Sequence, residues 1–127
     1  MLLGTADDNR VSERIIACGV EVHRHLGPGL LESVYEMALV IELQEAGLSY
    51  QQQSGIPLYY KGRLVAEYRP DLIVAGRVIV EVKSTERHHP VYVAQMLTYL
   101  RVTGLNLGLI LNFNTAWLKQ GIRRVMR

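Results

Sequence analysis

Residues Arg69 to Ser84, RPDLIVAGRVIVEVKS, restrict this chain more than any other stretch. Two apolar runs flank Ala75-Gly76-Arg77, which predicts two strands joined by a tight turn. Successive side chains of a strand point to opposite faces. Ile79, Glu81 and Lys83 therefore share one face, and Val78, Val80 and Val82 the other. A strand that is apolar on both faces is covered on both sides. A carboxylate and an ammonium placed there are costly to bury unless something pairs with them. With Asp71 on the first run, two acids and a lysine converge on a candidate metal site.

Register decides whether they meet. A turn with an odd number of residues, such as Ala75-Gly76-Arg77, sets Val74 against Val78 and Asp71 against Glu81. Side chains directly opposite on an antiparallel pair have Cβ atoms only about 4.5–5.5 Å apart. Carboxylates that close repel, and a hard divalent cation with oxygen ligands relieves the repulsion. A two-residue turn would send Asp71 to the opposite face. The competing reading is an ordinary ion pair of Lys83 with Glu81 or Asp71, because an acid-x-lysine triplet alone is common.

Pro70-Asp71 followed by Glu81-Val82-Lys83 resembles the core of the PD-(D/E)XK nuclease superfamily. Upstream, Gly29-Leu30-Leu31-Glu32-Ser33-Val34-Tyr35 is similar to the pattern that names the GxxExxY family within it. Gln95-Met96-Leu97-Thr98-Tyr99 resembles the Q-x-x-x-Y helix of nuclease domains attached to DNA-repair helicases. The likeness runs from about Ile15 to Arg124, with these motifs in the family's order and no departure at the catalytic positions.

The resemblance implies a restriction-endonuclease-like α/β core, a mixed sheet flanked by helices on both faces. It also implies a nuclease, most simply one acting on DNA, with Mg²⁺ as cofactor and Mn²⁺ as a substitute. Asp71 and Glu81 would hold the metal with the carbonyl of Val82, and Glu32 would join them directly or through a water. The ion would polarise the scissile phosphate and activate a water. Lys83 would position that water and stabilise charge developing at phosphorus. Gln95 and Tyr99 would flank the lysine. The alternative is a non-cleaving nuclease-fold module that binds nucleic acid or a protein partner. A structural ion-pair cluster in an interaction domain is the third reading.

The rest of the chain bounds these expectations. Its 127 residues, 49% of them hydrophobic, suit one domain with a real core, residues 1–127. A net charge of +2 does not announce a nucleic-acid binder, so any basic surface must come from local clustering. The only cysteine, Cys18, excludes an intrachain disulfide and fits a reducing cytoplasm. The start, MLLGTADDNR, lacks the charged region and the apolar run of a signal peptide. No stretch is long and apolar enough to span a membrane, so a cytoplasmic protein is expected. So small a domain offers little surface for clamping a duplex, and a homodimer or a partner repair enzyme would supply more.

The capping-type residues Asp7, Asp8 and Asn9 start a first helix ending near Leu26, with Cys18 on its apolar stripe. His23 and His25 fall on different sides of it and form no metal pair; a structural His23 is favoured over a site role. Gly27-Pro28-Gly29 follows a helix and lacks a phosphate-loop ending, so it reads as a turn. A second helix from about Leu30 to Ala46 is apolar over much of its circumference, which predicts burial. Tyr35 on it is expected to pack in the core. A hairpin over 56–60 and 64–68 follows, with Pro57 marking an edge strand. Its Tyr59, Tyr60 and Tyr68 could stack on bases, and Lys61, Arg63 and Arg69 could touch phosphate, but ordinary hairpins also carry such residues. Pro90 opens a third helix to Thr103 with Tyr92, Gln95 and Tyr99 on one stripe. Strands at 107–113 and 121–125 close the chain, and Arg123, Arg124 and Arg127 read as a solvated basic edge.

Overall fold

The chain's architecture comes from a computed structural model that describes residues 5–127. Residues 1–4, the start of the stretch that lacks signal-peptide features, lie outside the described residues. The elements in chain order are α1 (Ala6–Leu26), α2 (Glu32–Glu45), β1 (Tyr50–Gln52), β2 (Ile56–Tyr60), β3 (Arg63–Tyr68), β4 (Leu72–Val74) and β5 (Val78–Lys83). After these come α3 (Pro90–Thr103), β6 (Leu107–Asn112), a short 3₁₀ turn (Leu118–Gly121) and β7 (Ile122–Met126). Among the described residues no helix is long and apolar enough to cross a membrane.

Five strands form one mixed sheet in the order β1-β4-β5-β6-β7, and β2 pairs with β3 in a separate hairpin. The β4–β5 pair is antiparallel with Val74 against Val78 and Leu72 against Val80, the register an odd turn demands. Helix α3 connects β5 to its parallel neighbour β6, and that central pair is apolar on both faces.

The two faces are filled by different helices. Val78, Val80, Val82, Leu107, Leu109 and Leu111 pack with Ile15, Tyr35, Leu39 and Leu43 of α1 and α2. Ile79 and Ile110 pack on the other side with Met96, Tyr99 and Leu100 of α3, beneath Ile56 of the hairpin. The chain is therefore an α/β fold with helices on both faces of a mixed sheet, as its motifs imply.

Three local expectations shift. Thr5, rather than an acid, caps α1; its hydroxyl accepts the Asp8 N–H and the Asp8 carboxylate accepts the Thr5 N–H, a reciprocal capping box. Helix α2 is buried along one side only, through Tyr35, Leu39, Val40 and Leu43. Met37 and Ile41 are more than half exposed, because no element of the described chain covers the outer side of α2. Its first turn also begins later than expected. The Tyr35 hydroxyl donates to the Gly27 carbonyl and accepts the Leu30 N–H, which holds Leu30 and Leu31 outside the helix. Tyr35 is fully buried and stacks on Phe113, and His23 is a satisfied structural residue beside it, its Nε2 2.8 Å from the Thr115 carbonyl.

Gly121 sets the junction between β6 and β7. A Cβ there would sit 2.0 Å from the Asn112 carbonyl oxygen, a backbone atom that cannot step aside. Gly121→Ala should therefore cost about 1–3 kcal/mol, read as a lower urea midpoint at unchanged slope. A variant as stable as wild type would show that β7 can slide at no cost.

Candidate active site

The site forms where the chain enters β4 and leaves β5. Asp71 stands one residue before the paired part of β4, and the register carried outward sets it opposite Glu81. The two are tied through backbone. The Asp71 N–H donates to Glu81 Oε1 at 3.4 Å, and the Val82 N–H donates to Asp71 Oδ2 at 2.8 Å. Both carboxylates thus lie at one end of the β4–β5 pair, with Glu81 on the face covered by α3.

Glu81 is only 8% exposed. Burial first, and the neighbouring Asp71 charge second, push its carboxyl up to about 8, while Lys83 pulls the other way. A carboxyl so placed favours its neutral form unless a positive charge arrives. Lys83 does not supply it by direct pairing. Its ammonium lies 4.4 Å above the Tyr92 ring, and among the described residues it forms no salt bridge with Asp71 or Glu81. The ordinary ion-pair reading of the triplet therefore has no contact to rest on.

A third acid reaches the pair from α2, and it is Glu36. Burial and then the Asp71 charge push its carboxyl up, against the Gln52 and Gln53 amides that donate to it. The Gln53 amide also reaches Asp71 Oδ1 at 3.3 Å, so one amide bridges two carboxylates. Glu32 sits one helical turn earlier on the same stripe; it is exposed and makes no hydrogen bond among the described residues. Sequence reasoning passed over Glu36 and Gln53. The signal for Glu36 was its i+4 spacing from Glu32, whereas the Gln51-Gln52-Gln53 run carried none.

Helix α3 supplies the other wall. Tyr99 is nearly buried, and its hydroxyl is pushed up to about 12 by burial and then by the Glu81 and Asp71 charges. Gln95, exposed, lies beside the Tyr99 hydroxyl, and Tyr68 of β3 meets the Tyr99 ring at 5.8 Å. The Tyr92, Gln95 and Tyr99 stripe thus faces the acid–lysine cluster. On the opposite flank, Ser84 donates to the Leu30 carbonyl, and Asn112 holds Thr85 at both its N–H and its carbonyl. Those bonds fix the path of the chain just after Lys83.

A sequence model of the PD-(D/E)XK nuclease superfamily matches residues 9–125, nearly the whole chain. The chain belongs to that superfamily. No curated protein and no solved structure gives a match. Members of the PD-(D/E)XK superfamily are usually nucleases that use divalent metals. The donor chemistry here fits such an ion: oxygen ligands only, one of them a buried carboxylate whose charged form lacks a cation. Among the described residues no set of three or more Asp, Glu, His or Cys side chains is already drawn into ligand geometry. Asp71 and Glu81 each accept a backbone N–H.

Proposed function

We propose that this single-domain PD-(D/E)XK chain, of the GxxExxY type, is a Mg²⁺-dependent nuclease that hydrolyses phosphodiester bonds of nucleic acid, DNA in preference. The observation that carries the reading is the buried Glu81 carboxylate beside Asp71, with Lys83 close but unpaired. Asp71, Glu81 and the Val82 carbonyl would hold the ion, with Glu36 beside Asp71 and Glu32 one helical turn before it as further carboxylates. The bound ion would supply Lewis-acid polarisation of the phosphate and an activated water.

The chain's own residues do the rest. Lys83, held over Tyr92, presents an ammonium to charge that develops at phosphorus. Tyr99 keeps its proton at any ordinary pH, so its hydroxyl can donate a hydrogen bond and cannot act as a base. Gln95 orients that hydroxyl from the exposed side of α3. Burial by α3 and the β2–β3 hairpin excludes water from the Glu81 side, which strengthens each of these interactions.

Activity is tested by incubating the protein with labelled linear, circular and single-stranded substrates in Mg²⁺, Mn²⁺ or EDTA. Metal-dependent cleavage supports the reading; binding without cleavage under every condition replaces it with a non-cutting nuclease-fold module. Stability gives a second check. Above about pH 8, where Glu81 is ionised, Asp71→Asn keeps an oxygen for the Val82 N–H and removes one of two repelling charges. In EDTA it should be neutral or stabilising by up to about 1 kcal/mol, whereas breaking a structural buried pair would cost about 3–5 kcal/mol. Mg²⁺ should raise the melting temperature of the wild type well beyond that of the variant. A large loss in EDTA with no Mg²⁺ response in the wild type would make the cluster structural.

A further inference from the structure

Beyond Lys83, away from β4, a second cavity of about 250 Å³ opens over β6 and β7. Lys83, His88, Tyr92, Gln120 and Arg123 line it, so it is continuous with the cleavage centre through the lysine. Register places Arg123 deliberately. Glu81 pairs with Ile110, and Ile110 with Arg123, so the three form one row across the face covered by α3. Two strand spacings separate the ends of that row, about 10 Å.

Arg123 also differs from the other basic residues near it in sequence. Arg124 is bonded to Ser12 and Asn9, and Arg127 to Asn106. Among the described residues the Arg123 side chain makes no hydrogen bond and no ion pair, although it borders the cavity. Glu86 also borders the cavity without pairing with Arg123 or Lys83. The Gln120 side-chain Oε1 already accepts the Trp117 N–H, which leaves its NH₂ to donate. Burial, then the charges of Arg123 and His89, hold the His88 imidazole below its usual range, so at neutral pH it offers an uncharged N–H. A cavity with two unpaired cations and two neutral donors suits an anion, and an arginine fork suits phosphate.

We propose that this cavity binds the phosphate next along the substrate strand from the scissile one, with Arg123 as its principal ligand and Gln120 and His88 as supporting donors. The identity of the ligand rests on the nuclease reading above, but the test does not need cleavage. A fluorescent single-stranded oligonucleotide is titrated in EDTA with wild type, Arg123→Gln, Arg123→Lys and Arg124→Gln, from about 50 to about 200 mM salt. Arg123→Gln should bind about 10-fold more weakly and lower the salt slope by about 0.7. Arg123→Lys should keep the slope, because the charge remains. Arg124→Gln removes the same charge from a side chain tied to α1 and should also keep it.

The proposal is overturned if Arg123→Gln keeps the wild-type slope, if Arg124→Gln loses as much, or if the wild type does not bind the oligonucleotide. Should the slope difference appear in a protein that never cleaves in Mg²⁺ or Mn²⁺, the nuclease reading fails and the phosphate site stands.

Discussion

In EDTA the wild-type protein is expected to unfold at progressively lower urea concentration as pH rises from about 5 to about 8, while Glu81→Gln shows no comparable slope. The cause is the Glu81 carboxyl, pushed up to about 8 by burial and the Asp71 charge. Its unfolded value lies near 4.3. Between those values the unfolded chain has released a proton that the folded chain still binds. Stability from this group is therefore complete below about pH 4.3, falls as pH rises, and levels off once pH passes about 8. A shift of this size corresponds to on the order of 3–5 kcal/mol. Glu36 is shifted in the same direction and adds to the wild-type slope. The difference between wild type and Glu81→Gln isolates Glu81. Mg²⁺ should cancel most of the loss near pH 8, since an ion that binds the charged carboxylate stabilises only the folded state. Parallel urea midpoints for the two proteins across the whole range would show that Glu81 is solvated, and the case for a cation there would fall.

Lys83→Ala should lower single-turnover cleavage about 10²–10³-fold and leave Mg²⁺ affinity, measured by calorimetric titration, within a few-fold of wild type. The separation follows from position. The ammonium contacts a tyrosine ring rather than a carboxylate, so deleting it removes no ligand and breaks no ion pair. Stability should drop only by about the 1 kcal/mol of a cation–π contact and some packing. Undiminished cleavage would remove Lys83 from the chemistry. A matching collapse of Mg²⁺ affinity would instead place it among the groups that shape the metal site.

Much of this arrangement was legible in the sequence because it depends on parity and periodicity. Two runs apolar on both faces, separated by three turn residues, leave one register that brings Asp71 to Glu81, and β4 and β5 adopt it. The spacing of Tyr92, Gln95 and Tyr99 fixes which side of α3 they share, and helix geometry does not alter that. What periodicity cannot carry is the meeting of elements distant in the chain. Glu36 and Gln53 reach Asp71 only because the end of β1 packs beside β4 and α2 packs against the sheet next to β5, a tertiary fact with no local signature. The same limit hid Arg123. Three arginines in one short segment look alike, and only the strand register shows that one of them shares a row with Glu81. The exposed side of α2 was misjudged for a related reason, since composition reports what a helix could bury and not what is present to cover it.

The turn at Ala75-Gly76-Arg77 has an evolutionary consequence. Because β4 presents only Leu72, Ile73 and Val74, a shift of β4 by one position against β5 would exchange one apolar side chain for another, and the core would scarcely register the change. The acids would register it completely, since Asp71 and Glu81 would part to opposite sides of the sheet. Insertion or loss of a single codon in that turn therefore separates two properties that usually decay together. It would leave a lineage of well-folded descendants without the proposed chemistry, created in one step and retaining every proposed catalytic residue in its sequence.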